Sequence, residues 1–189
     1  MANRNNHYEA AFEAYLRARQ VSYVAVDEAR RSPLADGTLK SLDFIVSAAP
    51  ADGEAGRSWL VDVKGRRFPS GEKKRYWKNW STRDDLRSLA EWERLFGRQF
   101  GGLFVFAYNI VGSRAPVSPE RLFAFRGGLY GFVGIRLQDY VQHARPLSAR
   151  WDTVALPTRR FRALGAPVEY FFGPTKCVAT ELRRSAVST

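Results

Sequence analysis

The chain is poor in nitrogen and sulfur ligands: among 189 residues there is one cysteine, Cys177, and two histidines, His7 and His143. One cysteine excludes an internal disulfide and any zinc site built from several thiolates, and two isolated histidines leave little for a histidine-based metal site. A metal held here must therefore take oxygen ligands. Long apolar runs are missing as well. No stretch approaches the ~20 residues of a membrane span, and residues 1–7 are polar, unlike a signal peptide. The expectation is a cytoplasmic protein with no membrane partner. Ser148 lacks any nearby His/Asp arrangement that would argue for nucleophilic catalysis. Acidic residues are also in short supply, 19 against 30 Lys and Arg, for a net charge of +11.

The positive charge is unevenly spread. Residues 61–80 carry seven basic and two acidic side chains and residues 113–189 carry twelve and five, whereas residues 1–60 and 81–112 are close to neutral. A polyanion is the partner such clustering suits, and nucleic acid is the expected one. With 45% hydrophobic and 14% aromatic residues the chain can bury one sizeable core.

The run Trp59 to Arg67 has the apolar character of a buried strand, yet it carries Asp62 and Lys64 two residues apart, on one face, with Val61 and Val63 on the other. Charges at such a place need a partner or a metal, because burying them alone is costly. Ser41 to Ser47 reads as a second strand, with Leu42, Phe44 and Val46 on one face and Asp43 and Ile45 on the other. Pairing of the two strands as a hairpin would bring Asp43 toward Asp62, the flexible segment 49–56 forming the tip. Asp27 to Lys40 reads as a loop or loose hairpin near the Asp43 end, with Arg30 and Arg31 available to phosphate.

His7 to Leu16 has helical periodicity, with Asn6 as N-cap and Glu9 at the capping-box position, and Val21 to Val26 reads as a first strand. After Lys64 comes the stretch most suited to a nucleic acid, Gly65 to Trp80, where Arg66, Arg67, Lys73, Lys74, Arg75 and Lys78 alternate with Tyr76, Trp77 and Trp80. The cations would neutralise phosphate and an aromatic such as Trp77 would stack on a base, or the tryptophans would anchor the loop to the core. Ser81 to Asp85 carries helix-start signals, and Leu86, Leu89, Trp92 and Phe96 follow at helical spacing. Leu103 to Ile110 is continuously apolar, a central strand that a helical crossover would set parallel to the Asp62 strand.

An acid opening one strand and Asp-Val-Lys in the next, Asp43 with Asp62-Val63-Lys64, resembles the PD-(D/E)XK nuclease superfamily. That resemblance implies an α/β restriction-endonuclease-like core (helix, three-stranded meander, helix, strand; mixed central sheet). It further implies that Asp43, Asp62 and the Val63 carbonyl hold Mg²⁺ or Mn²⁺ and that Lys64 positions the attacking water. In the archaeal Holliday-junction-resolvase branch a first-helix glutamate faces the metal, which implies that role for Glu9, with Glu13 as the alternate. The same branch implies a branched-DNA substrate and a homodimer. Asp62 stands where that branch has glutamate. Residues 7–13 are also similar to the signature of the bacterial HYExAFE family, which carries no activity with it. A restriction or repair endonuclease on linear DNA, or a catalytically silent nucleic-acid-binding module, accounts for the same features.

Residues 1–112 are expected to form the core and residues 113–189 an α+β extension packed on it. In the latter, Leu122 to Phe125 and Leu129 to Ile135 flank the hairpin signal Arg126-Gly127-Gly128, and short helices are expected at 137–143 and 157–164. Arg159, Arg160 and Arg162 form either a second DNA-facing surface or a solvated helix face.

Overall fold

The computed structural model describes residues 6–26, 32–34, 37–48, 56–71 and 75–173. The chain begins with α1 (His7–Ala18), started by Asn6, whose side chain accepts from the Tyr8 amide. There follow β1 (Tyr23–Ala25), a small hairpin of β2 (Ser32–Leu34) and β3 (Gly37–Leu39), then β4 (Phe44–Ser47) and β5 (Ser58–Phe68). β6 (Ser81–Thr82) leads into α2 (Arg83–Phe96), and β7 (Phe100–Ile110) returns through the sheet. Beyond it lie β8 (Phe123–Phe125), β9 (Gly128–Arg136), α3 (Leu137–His143), β10 (Arg145–Ser148), β11 (Thr153–Ala155), α4 (Thr158–Leu164), β12 (Ala166–Pro167) and α5 (Glu169–Phe172).

Among the described residues the main sheet runs β1-β4-β5-β7-β9-β12, with β8 on β9. β1, β4 and β5 form an antiparallel meander, whereas β5 and β7 are parallel over eleven residues, from Ser58 opposite Phe100 to Phe68 opposite Ile110. That long pairing carries β5 on through Gly65, Arg66, Arg67 and Phe68, so the loop expected after Lys64 begins only beyond Phe68. β8 and β9 are joined at Arg126 (φ 47°) and Gly127 (φ 75°), two successive left-handed residues that match the twist of a two-residue hairpin.

β7 is buried on both faces because alternate residues feed two cores. Leu103, Val105 and Ala107 join Phe12, Leu16, Phe44 and Val61 beneath α1; Phe104, Phe106 and Tyr108 join Leu60, Leu89 and Tyr140 beneath α2. Each of the valine, leucine and phenylalanine side chains among them contributes roughly 1.5–3 kcal/mol by its burial. Leu42 departs from expectation. It packs with Leu60 in the α2-side core, not with Phe44 and Val46, because Asp43 sits in a bend before β4 begins and breaks the alternation.

Gly65 leaves room for the Tyr8 ring of α1 against β5: a Cβ there would lie 2.1 Å from Cδ2 of Tyr8. Gly65→Ala is therefore expected to push the start of α1 off the sheet and cost about 1–3 kcal/mol. Urea unfolding measures the loss, and an unchanged midpoint would show that the contact is slack.

Candidate active site

Glu9, Asp43, Asp62, Val63 and Lys64 line one cleft of about 340 Å³, together with Lys40, Asp85, Ser88 and Trp92. The cleft opens where β4 and β5 part company. Asp43 donates its backbone N–H to the Val61 carbonyl at 2.9 Å, and its carboxylate Oδ2 accepts the Val63 amide at 2.6 Å. A side chain thus takes the hydrogen bond that the next residue of an uninterrupted ladder would have made. The result is a buried carboxylate fixed beside the backbone between Asp62 and Lys64.

Asp62 and Lys64 leave β5 on the α2 side, and Lys64 Nζ lies 2.8 Å from Asp62 Oδ2 and 3.0 Å from Asp85 Oδ2. Asp85 is the residue that sequence reasoning passed over. As the third residue of α2 it completes a capping box with Thr82, accepting the Thr82 amide at 2.9 Å while its own amide donates to Thr82 Oγ1 at 3.1 Å. It also accepts from Ser81 Oγ at 2.9 Å and from Lys40 Nζ at 2.9 Å. The pattern Thr82-x-x-Asp85 announced the cap, but only the three-dimensional fold brings the carboxylate to Lys64. Asp62, Lys64, Asp85, Lys40 and Asp84 form a run of alternating charge along this wall, Lys40 reaching Asp84 at 3.4 Å.

The pKa directions follow from that run. Burial, helped by the Asp85 charge, pushes the Asp62 carboxyl up against the pull of Lys64. For Asp85 burial acts the same way but is outweighed by Lys64, Lys40 and the Thr82 bonds, which hold it below the carboxylate range. Burial would lower Lys64, yet the two carboxylates overcome it and its pKa is raised. Lys64 is therefore an ammonium at neutral pH, suited to neutralising charge and unsuited to removing a proton.

Glu9 is buried, its Oε1 accepting from the Asn6 side-chain amide. It serves the helix cap and faces the cleft at once. Glu13, the alternate, is engaged elsewhere, with Arg17 at 2.8 Å and Tyr23 at 3.0 Å, and does not line the cleft.

The anionic and carbonyl donors of the cleft are all oxygen, the carboxylates of Glu9, Asp43, Asp62 and Asp85 and the Val63 carbonyl, which is the chemistry Mg²⁺ and Mn²⁺ select. Among the described residues no group of three or more acids, histidines or cysteines forms a ready-made cage. Mg²⁺ does not need one, since it keeps several waters and is commonly held by one or two carboxylates with the substrate phosphate. The residues fit the ion on those terms.

The nucleic-acid side chains fare unequally. Arg67 and Arg75 are exposed, whereas Arg30, Arg31, Lys73 and Lys74 lie outside the described residues. Arg66 is not a surface cation. It shares the face of Lys64, donates to the Gly65 and Trp80 carbonyls and stacks 3.9 Å over the Trp80 ring, and its buried Nε meets no acceptor among the described residues. Trp77 is no free platform either: it packs edge-on against Phe68, Tyr108 and Phe161, which keeps most of the ring in the α2-side core. Lys78 is half-buried, and its carbonyl accepts from the Tyr108 hydroxyl at 2.9 Å.

No family model matches the chain and no curated protein matches it in sequence, so the likeness of residues 7–13 to the HYExAFE signature stands without support. Among solved structures the chain is similar to Hjc of Archaeoglobus fulgidus, a Holliday junction resolvase from an archaeal hyperthermophile. The TM-score is 0.50 at 12% identity, over 88% of this chain and 98% of that one. At that identity the likeness is one of architecture. The fold is α/β and restriction-endonuclease-like, with helix, meander, helix and parallel strand in the expected order. No helix among the described residues is long and apolar enough to cross a membrane.

Proposed function

We propose that the protein is a divalent-metal-dependent nuclease that hydrolyses DNA phosphodiester bonds, with Holliday-junction-like branched DNA as its substrate. The observation that carries this reading is the Asp62–Lys64 pair on β5 with the Asp43 carboxylate bonded to the amide between them, in a cleft that Glu9 closes from α1. Asp43, Asp62, the Val63 carbonyl and Glu9 would hold Mg²⁺ or Mn²⁺. When bound, such an ion supplies Lewis-acid polarisation of the phosphodiester and acidifies a water. Lys64, held as an ammonium, places a fixed positive charge beside the attacked phosphate and orients the incoming water, which costs no reorganisation during the reaction. Asp85, 3.0 Å from the same ammonium, would still hold it in the cleft were Asp62 engaged by an ion. Arg67 and Arg75 supply phosphate contacts that fix the strand without reading its sequence.

A catalytically silent DNA-binding module is the second reading, favoured by the preformed Lys64–Asp62 contact and by the lack of a three-acid cage among the described residues. Cleavage of branched, linear and single-stranded DNA with Mg²⁺ or Mn²⁺ separates the two. Metal-dependent products, greatest for the branched substrate, are expected; binding without cleavage of any substrate would establish the silent module. Glu9→Gln, which keeps an acceptor for Asn6, is expected to lower the rate about 10–100-fold, as for loss of a group that supports metal binding. Higher metal concentration should restore part of that rate, and an unchanged rate would remove Glu9 from the site.

A further inference from the structure

A second cavity, of about 330 Å³, shares no residue with the acidic cleft. Its walls include Trp77, Pro116, Phe161 and Pro167, and the side-chain polar groups that line it come from Ser118 and the exposed Arg162. The volume is at the low end of ligand pockets, which run from about 300 to 1,000 Å³. It admits one planar ring system and no duplex. The Arg162 guanidinium lies 5.4 Å from the Trp77 ring centre, and Arg114 lies 5.5 Å from that of the neighbouring Tyr76. A guanidinium beside an aromatic face is the pairing that stacks a base and neutralises its phosphate.

The surroundings are mainly basic, although the lining Ser118 donates to the Glu120 carboxylate and Glu169 follows the last framing segment. Segments 75–80, 111–118 and 156–168, which frame the cavity, carry Arg75, Lys78, Arg114, Arg159, Arg160 and Arg162 and no Asp or Glu. Arg75, Arg114, Arg159, Arg160 and Arg162 are exposed. The cavity also lies on the same side of the sheet as Lys64. From Lys64, β5 runs four residues to Phe68, about 13 Å at ~3.3 Å per residue, and the Phe68 and Trp77 rings are 5.4 Å apart. A strand whose phosphate lies in the cleft would reach the cavity within about five base steps at ~3.4 Å each.

The geometry points to this cavity as a slot for one unpaired nucleobase of a DNA strand whose phosphates lie on the surrounding arginines. The inference rests on the reading that DNA is the substrate, but not on its being cleaved. It gives the enzyme a means of selecting DNA with an unpaired nucleotide near the attacked bond, because a base held in a duplex cannot enter.

Fluorescence anisotropy in EDTA tests binding with cleavage switched off. The probes are a short labelled single strand, its duplex, and the same strand with abasic nucleotides in place of the bases. Ala115→Trp, which fills the slot from its loop, is expected to weaken single-strand binding about tenfold, within the range that a stacked base supplies, and to leave duplex binding within about twofold. Wild type should bind the abasic strand about as weakly as the variant binds the intact one. Arg162→Ala, an exposed change that spares the fold, should also lower single-strand affinity more than duplex affinity, and it decides the matter if Ala115→Trp misfolds. Equal losses on single strand and duplex, or abasic DNA bound as tightly as intact DNA, would overturn the slot and leave a plain basic surface. A wild-type protein that binds none of the probes would overturn the DNA reading with it, whereas selective binding without cleavage in Mg²⁺ would preserve the slot and refute only the nuclease.

Discussion

Asp62→Asn and Lys64→Ala are each expected to lower Mg²⁺-dependent DNA cleavage by about 10²–10³-fold, the loss typical of removing one preorganised group that meets developing charge. The Kd for the same DNA should stay within about threefold, because the phosphate contacts assigned to Arg67 and Arg75 are untouched. The two variants fail for different reasons. Asp62→Asn removes the charge proposed to hold the ion but leaves the Lys64 ammonium 3.0 Å from Asp85, so the wall of the cleft keeps its shape. Lys64→Ala leaves Asp62 and Asp85 without the cation between them, and the two acids then repel across the site. Raising Mg²⁺ should rescue Asp62→Asn in part and Lys64→Ala hardly at all. Undiminished cleavage by both would remove this cleft from the chemistry. Arg67→Ala is the contrasting change: it should weaken binding and reduce the salt dependence by about one ion while leaving the rate at saturation unaltered.

Asp85→Ala is expected to produce the largest loss of stability, about 3 kcal/mol at neutral pH. Asp85→Ala removes only the side-chain half of the capping box, Thr82 keeping its bond from the residue-85 amide, which costs up to about 1 kcal/mol, and taking one partner from a buried charged network costs roughly 3–5 kcal/mol when the rest is left unpaired. Here Lys64 retains Asp62 and Lys40 retains Asp84, which keeps the total near the lower figure. The pH dependence has a definite sign. The Asp85 carboxyl is held below its unfolded value, so its contribution is complete above about pH 4 and is lost as pH falls toward the depressed folded value. Asp62, whose pKa is raised, acts in the opposite sense: the folded state gains protons first as pH falls, and wild-type acid sensitivity is blunted. The stability gap between wild type and Asp85→Ala, read from urea midpoints, should therefore shrink between pH 5 and pH 3. A gap that stays constant over that interval would mean that the Asp85 charge does nothing for the fold.

What could be read in advance was whatever depends on local alternation. Asp62 and Lys64 share a face of β5 because residues two apart always do, and Glu9 falls toward the strand ends because helical spacing puts Ala11, Phe12, Tyr15 and Leu16 on the buried side. The turn at Arg126-Gly127 and the two short helices around residues 137–143 and 158–164 were equally local. Leu42 could not be placed, since its side was set by the bend at Asp43, and that bend is stabilised by a bond to Val63 twenty residues away. Asp85 was visible only as a cap. Its second task needs α2 to dock with its first turn over Lys64, a consequence of packing that no spacing announces. Arg66 reads as a surface cation because it belongs to a basic, aromatic stretch, and the eleven-residue pairing of β5 with β7 draws it into the wall; of the two readings the stretch allows for Trp77, platform or anchor, the aromatic core takes the anchor.

A nuclease of the proposed kind must bind a divalent ion on the acidic side of the cleft. Crystals soaked in Mn²⁺ and measured for anomalous scattering test that before any substrate is known. The expected map has one strong peak bounded by the Asp43 and Asp62 carboxylates and the Val63 carbonyl, with Lys64 released from Asp62 and retained by Asp85. A map with no peak there, and Lys64 still bonded to Asp62, would contradict it.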